Sequence, residues 1–143
     1  MYFDDLKLGM SVEIAPAVIE KQKMLDFAYT YDNIPLHTDE EYAKASPFGR
    51  LIAPGVMSFM SVWARYLEVD FFGKELLAGK STKIEWHKPV YAEDVLRGRA
   101  EITNLVKRNA RNGLVEVTIE AYNQKGEHVL SNVTEAIVKC REL

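Results

Sequence analysis

The sequence predicts one α+β domain, in which an antiparallel sheet wraps around a single long buried helix. The first observation is the segment Gly49–Glu68, which is apolar on nearly every side of a helix and is typical of a core helix. The second is that the chain after this segment reads as strands joined by short turns, which favours antiparallel pairing. The third is the length of 143 residues, which suits one domain over residues 1–143.

Short elements precede the central helix. Residues 1–9 are expected to form an extended lead-in. Val12–Ile19 is predicted to be a strand at the edge of the sheet, because Pro16 cannot donate a hydrogen bond to a neighbouring strand. The spacing of apolar residues then changes and predicts a helix over Glu20–Tyr29.

A second short helix is predicted to begin at Thr38. Thr38 and Glu41 form a capping-box pattern, in which the two side chains satisfy free N–H groups at a helix start. The helix is expected to end near Ser46. Pro35 disfavours helix at the residue before it, so the first helix is not expected to continue through 30–37. Because the second helix is predicted to begin at Thr38, His37 is expected to lie just outside its N-terminus.

The start of the central helix is marked by Pro54 and Gly55. Proline fits the first helical position, and glycine lets another group approach the backbone closely. Free N–H groups and partial positive charge at a helix N-terminus are able to hold an oxygen that becomes negative in a reaction. Arg65 and the limited apolar length argue against a membrane span.

Four strands are predicted after the central helix. Their hydrophobic and polar residues alternate, and the turns between them are rich in Asn, Gly and charged residues. A bulge is expected near Asn132–Thr134, where the alternation is interrupted. The predicted strands are Ser81–Lys88, Val95–Arg108, Leu114–Tyr122 and Val129–Lys139.

The composition argues against several classes of function. A formal net charge of -3 argues against a nucleic-acid partner, which usually requires a basic face. The one cysteine, Cys140, excludes an internal disulfide and a cysteine-based metal cluster, and the expected compartment is the reducing cytoplasm. The first ten residues have neither the basic nor the apolar region of a signal peptide.

Three histidines are candidates for proton chemistry. His87 and His128 have neighbours that favour plain structural or surface roles. His37 shares a short loop with Asp32, and a nearby carboxylate is able to orient an imidazole that titrates near neutral pH. On spacing alone, the more ordinary interpretation of His37 is a turn residue beside a helix start.

The segment 32–37 (DNIPLH) resembles the signature of the MaoC-like acyl dehydratases, which include the (R)-specific enoyl-CoA hydratases. The pattern of that family is Gly-Asp-any-Asn-Pro-any-His, with Ala or Ser about six residues later. Segment 48–55 (FGRLIAPG) resembles the family's entry to the central helix, 88–94 (KPVYAED) a characteristic turn, and 123–127 (NQKGE) the last hairpin. The similarity follows the family's order over nearly the whole chain.

The resemblance implies the hot-dog fold and a hydratase or dehydratase of acyl thioesters. Such an enzyme adds water to a 2-enoyl-CoA or removes it from a 3-hydroxyacyl-CoA. Asp32 and His37 would activate the water, and the backbone N–H of Gly55 would stabilise negative charge on the thioester oxygen. The carrier would be coenzyme A or acyl carrier protein, and no separate cofactor or metal is implied. The resemblance also implies a homodimer, which in some members assembles further.

Three residues depart from the family pattern. Tyr31 stands where the family usually has glycine, Ile34 where it has asparagine, and Pro54 where many members have histidine or serine. Together with Met57 in the central helix, these residues are predicted to contact the substrate and to influence which acyl group is accepted.

Two alternative functions fit the same fold. A hot-dog thioesterase usually carries an acidic residue on the central helix or at its entry, and Gly49–Leu67 contains neither Asp nor Glu. A non-catalytic acyl-CoA-binding module is the other alternative, and the departures at Tyr31 and Ile34 favour it to some extent.

Overall fold

A five-stranded antiparallel sheet packs against one central helix, as predicted. The computed structural model describes residues 1–142. The strands are β1 (Ser11–Val18), β2 (Leu76–Trp86), β3 (Val95–Lys107), β4 (Asn112–Tyr122) and β5 (His128–Lys139). The helices are α1 (Lys21–Tyr31), α2 (Pro35–Thr38), α3 (Glu40–Lys44) and the central α4 (Gly55–Glu68). Across the sheet the strand order is β1-β3-β4-β5-β2.

The core lies between the inner face of the sheet and one side of α4. Phe59, Val62 and Tyr66 of the helix are buried, and Ile102 and Ile119 are among the fully or nearly fully buried residues facing them. Burying each large apolar side chain stabilises the fold by about 1.5–3 kcal/mol. Within residues 1–142, no helix has the length and apolar character needed to cross a membrane.

The prediction that α4 is buried on nearly every side is correct for only one side. Val56, Met60 and Leu67 are each about half exposed, because in a single chain no element covers that stripe of the helix. The helix also begins later than the predicted segment. Gly49 has a φ of +76° and turns the chain, and Pro54 is the N-cap, which precedes the first helical residue.

The region before α4 differs from the prediction in a second way. His37 lies within the short helix α2, which Pro35 starts at its first position. Thr38 ends that helix instead of capping the next one. The N-cap of α3 is Asp39, whose Oδ1 accepts a hydrogen bond from the Tyr42 N–H at 3.1 Å.

The predicted edge position of β1 is confirmed, and its pairing with β3 is irregular between Ile14 and Ala17, around Pro16. The bulge predicted near Asn132–Thr134 is absent, since the pairing of β5 is regular there. Asn132 instead points into the core in place of an apolar residue. Its amide donates to Thr82 Oγ1 at 2.7 Å and to the Lys83 carbonyl at 3.0 Å, so the buried polar group is satisfied.

Strand β2 starts at Leu76, five residues before the predicted start at Ser81. It forms the other edge of the sheet, and nearly all of its residues are exposed. The sequence shows no clean alternation here because neither face of this strand is covered within one chain.

Candidate functional site

A cleft of about 490 Å³ lies where α2, the N-terminus of α4 and the end of β2 meet. The segment before α4 forms one wall of the cleft. An isolated β-bridge between Ile52 and Tyr91 joins this segment to the 88–94 turn, which follows β2. Asp32, His37 and Gly55 all line this cleft. The structure therefore brings together the two predicted catalytic residues and the predicted oxyanion donor.

His37 is fixed by a hydrogen bond to the backbone. Its side chain is buried, and its Nδ1 lies 2.7 Å from the carbonyl oxygen of Ile52. A carbonyl only accepts hydrogen bonds, so Nδ1 carries the proton and donates it. In neutral His37 the other nitrogen, Nε2, is then the one with a free lone pair.

Asp32 faces that second nitrogen. Its Oδ2 lies 3.2 Å from His37 Nε2, and its side chain remains 43% exposed. Asp32 is the C-cap of α1, and its N–H donates to the Ala28 carbonyl at 2.9 Å. Helix α1 is anchored in the core by Met24 and Ala28, which are fully buried. A helix anchored in the core by two residues thus positions a carboxylate that stays accessible to solvent.

The N-terminus of α4 opens onto the same cleft. No side chain of the helix caps it, and both Gly55 and Val56 line the cleft. N–H groups in a first helical turn have no partner within the helix and carry partial positive charge. The end of α4 is therefore suited to accept an oxygen with developing negative charge.

The cationic residue at the cleft is already engaged. Lys88 lines the cleft, and its Nζ lies 3.0 Å from Glu127 Oε2. The hydrogen bond from Lys88, together with one from Asn123, holds the pKa of the Glu127 carboxyl below its usual range. Lys88 is thus paired with Glu127, and the other polar groups that line the cleft are the Asp32–His37 pair, Ser58, His87 and the N-terminus of α4.

The four predicted substrate-binding residues do not line this cleft in the single chain. Tyr31 is 75% exposed and packs on Phe27, and Ile34 is half-exposed as the N-cap of α2. Pro54 is fully buried. Met57 is buried on another side of α4, beside a separate groove. Their role in substrate binding stays a prediction.

Among the residues that line the cleft without having been predicted as site residues are Ser58, Trp86 and His87. Ser58 is buried in the first turns of α4, and its Oγ lies 3.4 Å from the Pro54 carbonyl. The ring of His87 stacks on His128 with centroids 4.4 Å apart, and its Nε2 lies 2.9 Å from Ser131 Oγ. The position of Trp86 and His87 directly before the 88–94 turn was the available signal, because that turn packs on the segment entering α4.

Comparison with known proteins agrees with this architecture. The family model described as "MaoC like domain" matches residues 5–125, and the chain belongs to this family. Its fold is the hot-dog fold that the resemblance implied. The monoamine oxidase regulatory protein from Archaeoglobus fulgidus superposes with a TM-score of 0.94 at 28% identity, over 99% of this chain and 96% of that one.

Two relatives with similar sequences differ in how much is known of them. The protein YdeM of Bacillus subtilis, which is uncharacterised, is 26% identical over 140 residues, covering 97% of this chain and 99% of YdeM. The 3-hydroxybutyryl-CoA dehydratase of Methylorubrum extorquens is 29% identical over 112 residues, covering 78% of this chain and 69% of the dehydratase. The chain is thus similar both to an enzyme of acyl-CoA chemistry and to a relative without a known reaction.

Proposed function

We propose that this protein is a hydro-lyase that interconverts a 2-enoyl thioester and a 3-hydroxyacyl thioester. One observation carries the proposal: a single cleft holds the Asp32–His37 pair and the open N-terminus of α4. A water that adds to a double bond needs a proton acceptor beside it, and a thioester becomes a useful electrophile only when its carbonyl is polarised. Those two requirements match the two polar features of the cleft.

The pair provides the proton transfer. His37 Nε2 accepts a proton from a water that contacts both side chains, because Nδ1 is already committed to the Ile52 carbonyl. The Asp32 carboxylate, 3.2 Å away, stabilises the imidazolium that results. Positioned groups of this kind contribute roughly 10²–10⁴-fold in rate.

The helix end provides the polarisation. The N–H of Gly55 donates to the thioester oxygen, and the charge that develops as the enolate forms is stabilised by this donor and by the helix dipole. Loss of one such donor typically costs about 3 kcal/mol of transition-state stabilisation.

The atoms balance without any further reactant. The water oxygen forms a bond to the β-carbon while its proton passes to the pair, and the electrons of the carbon–carbon double bond shift toward the thioester oxygen. The pair then returns one proton to the α-carbon, which restores the carbonyl. The reverse sequence removes water from a 3-hydroxyacyl thioester.

The walls of the cleft offer apolar surface to an acyl group. Phe48, Ile52 and Trp86 are apolar surfaces around the pair. The similarity to a 3-hydroxybutyryl-CoA dehydratase supports a substrate with about four carbons. We propose coenzyme A or acyl carrier protein as the carrier, and no separate cofactor.

We also propose that the working form is a homodimer in the cytoplasm. Strand β2 is a long, exposed sheet edge, and such an edge is a ready template for pairing with another chain. The exposed stripe of Val56, Met60 and Leu67 on α4 offers additional apolar surface. The buried free thiol of Cys140 is compatible with a reducing compartment.

The proposal is tested by following the loss of enoyl-thioester absorbance with short, branched and dicarboxylic enoyl-CoAs. Hydration of a short member by the wild type, with at least about a hundredfold loss in Asp32→Asn, is the expected result. Full activity in Asp32→Asn would contradict the mechanism. Absence of turnover combined with thermal stabilisation by acyl-CoAs would support the binding module instead.

A further inference from the structure

The indole of Trp86 rests directly on Gly55, the first residue of α4. A Cβ atom built on Gly55 would lie 2.5 Å from Cε2 and 2.7 Å from Nε1 of that ring. Gly55 is helical and is not among the residues with positive φ. The requirement for glycine here therefore comes from the indole and not from the backbone conformation.

A hydrogen bond accompanies this contact. The Trp86 Nε1–H donates to the carbonyl oxygen of Gly55 at 2.8 Å. That carbonyl belongs to the peptide that immediately follows the Gly55 N–H. The indole thus restrains Gly55 by close packing at its Cα and by a hydrogen bond on its carboxyl side.

Trp86 is itself held by the sheet. It pairs with Leu130 across β2 and β5, and the N–H of the next residue, His87, donates to the Val129 carbonyl at 2.8 Å. Leu130 and Val129 are fully buried. The ring is therefore carried by a fixed strand end, although Trp86 as a residue is 47% exposed and lines the cleft.

We infer that Trp86 is a positioning residue, which holds the Gly55 N–H in the direction needed to polarise the thioester carbonyl. The inference rests on the proposed function and adds to it a residue outside the Asp32–His37 pair. A preorganised donor is effective only when its direction is fixed before the charge develops. The N-cap of α4, Pro54, makes no side-chain hydrogen bond there, and Trp86 restrains this end of the helix from β2 through its contacts with Gly55.

The first test separates the contribution of the Trp86 Nε1–H hydrogen bond from that of ring packing. Trp86→Phe keeps an aromatic group against Gly55 and removes the hydrogen bond. It is expected to lower kcat about tenfold and to change KM less than about twofold, because a hydrogen bond that orients a transition-state donor acts mainly on kcat. Trp63→Phe replaces the only other tryptophan and is the matched control, with kcat expected to stay at the wild-type value.

The second test uses the close packing between Gly55 and the Trp86 indole. Gly55→Ala places a methyl group where the indole lies and is expected to lower kcat at least about a hundredfold, as loss of an oxyanion donor does. The double variant Gly55→Ala/Trp86→Ala gives that methyl group room. It is expected to regain at least tenfold in kcat over Gly55→Ala, which an independent structural role of the two residues would not produce.

A spectroscopic readout keeps the inference independent of turnover. Butyryl-CoA labelled with ¹³C at its carbonyl cannot be hydrated, and its carbonyl stretching frequency in the bound state reports polarisation by the Gly55 N–H. The wild type is expected to lower this frequency, and Trp86→Phe to lower it less. If the frequency is lowered by the same amount in the wild type and in Trp86→Phe, the inference is overturned and the proposed function stays intact. If the wild type lowers the frequency but turns over no enoyl thioester, the proposed function alone is refuted. An unshifted wild-type frequency would overturn both the inference and the proposed function. Wild-type kcat in Trp86→Phe would overturn the role of Trp86 alone.

Discussion

Tyr66 links the packing of the central helix to stability at high pH. Its side chain is 5% exposed, and burial raises the pKa of Tyr66 from 10.0 to about 12. The folded state therefore holds this proton more tightly than the unfolded state does. The stability associated with neutral Tyr66 is fully present below about pH 10 and is lost as the pH rises toward 12.

The size of the effect follows from the difference in pKa. Two pH units correspond to about 3 kcal/mol when ionisation is complete in both states, and to about 1 kcal/mol at pH 11. Tyr66→Phe removes the titrating hydroxyl while keeping the ring in the core. The free energy of unfolding of this variant, measured relative to the wild type, should therefore improve by about 1 kcal/mol between pH 8 and pH 11.

Urea unfolding of both proteins at the two pH values measures this difference. Other groups that titrate at high pH affect the wild type and the variant equally, so their contribution cancels. A constant difference between Tyr66→Phe and the wild type would refute the reasoning.

Three further predictions concern helices α1 and α3 and the exposed strand β2. Met24→Ala empties a fully buried position of α1 and should reduce the free energy of unfolding by about 2–5 kcal/mol in urea titrations, and a loss below about 1 kcal/mol would contradict the described core. Asp39→Ala removes the N-cap bond to Tyr42 and should cost about 1 kcal/mol in thermal unfolding, with an unchanged Tm as the contrary result. Leu77→Lys adds a charge to the exposed edge of β2, and sedimentation should show a dimer for the wild type and a shift to monomer for the variant, whereas an unaffected dimer would place the interface elsewhere.

Much of the fold could be predicted because its signals are local. The alternation in β4 and β5 and the apolar run of α4 each lie within one continuous segment. The bulge predicted at Asn132 was wrong for a reason that is not local. Its amide finds partners on Thr82 and Lys83, about fifty residues earlier, so an inward-facing polar residue replaces an apolar one without breaking the strand.

The site residues also divide into those marked by local sequence signals and those that depend on distant contacts. Asp32 and His37 are five residues apart, so a short loop alone brings them near each other, and the resemblance to a known family assigned their chemistry. The start of α4 at Gly55 was also marked by local residues, although Pro54 proved to be the cap and not the first helical residue.

Trp86 could not be found in this manner. It lies 31 residues from Gly55 in sequence, and their contact depends on where β2 ends and on its pairing with β5. The same holds for the half-exposed stripe of α4 at Val56 and Met60, which the sequence alone suggested would be buried. Burial in a single chain depends on which faces the sheet covers, and that is set by the whole topology.

The most direct test of the central claim is a double-mutant cycle on kcat/KM for hydration of a short enoyl-CoA, with Asp32→Asn, His37→Ala and the combined variant. Residues that act as one unit give losses that do not add. Since Asp32 and His37 contact each other and are proposed to share one water, each single variant should lose at least about a hundredfold, and the combined variant should lose little more than the worse single variant. Losses that multiply in the combined variant would contradict a shared role, and wild-type activity in either single variant would contradict the mechanism as a whole.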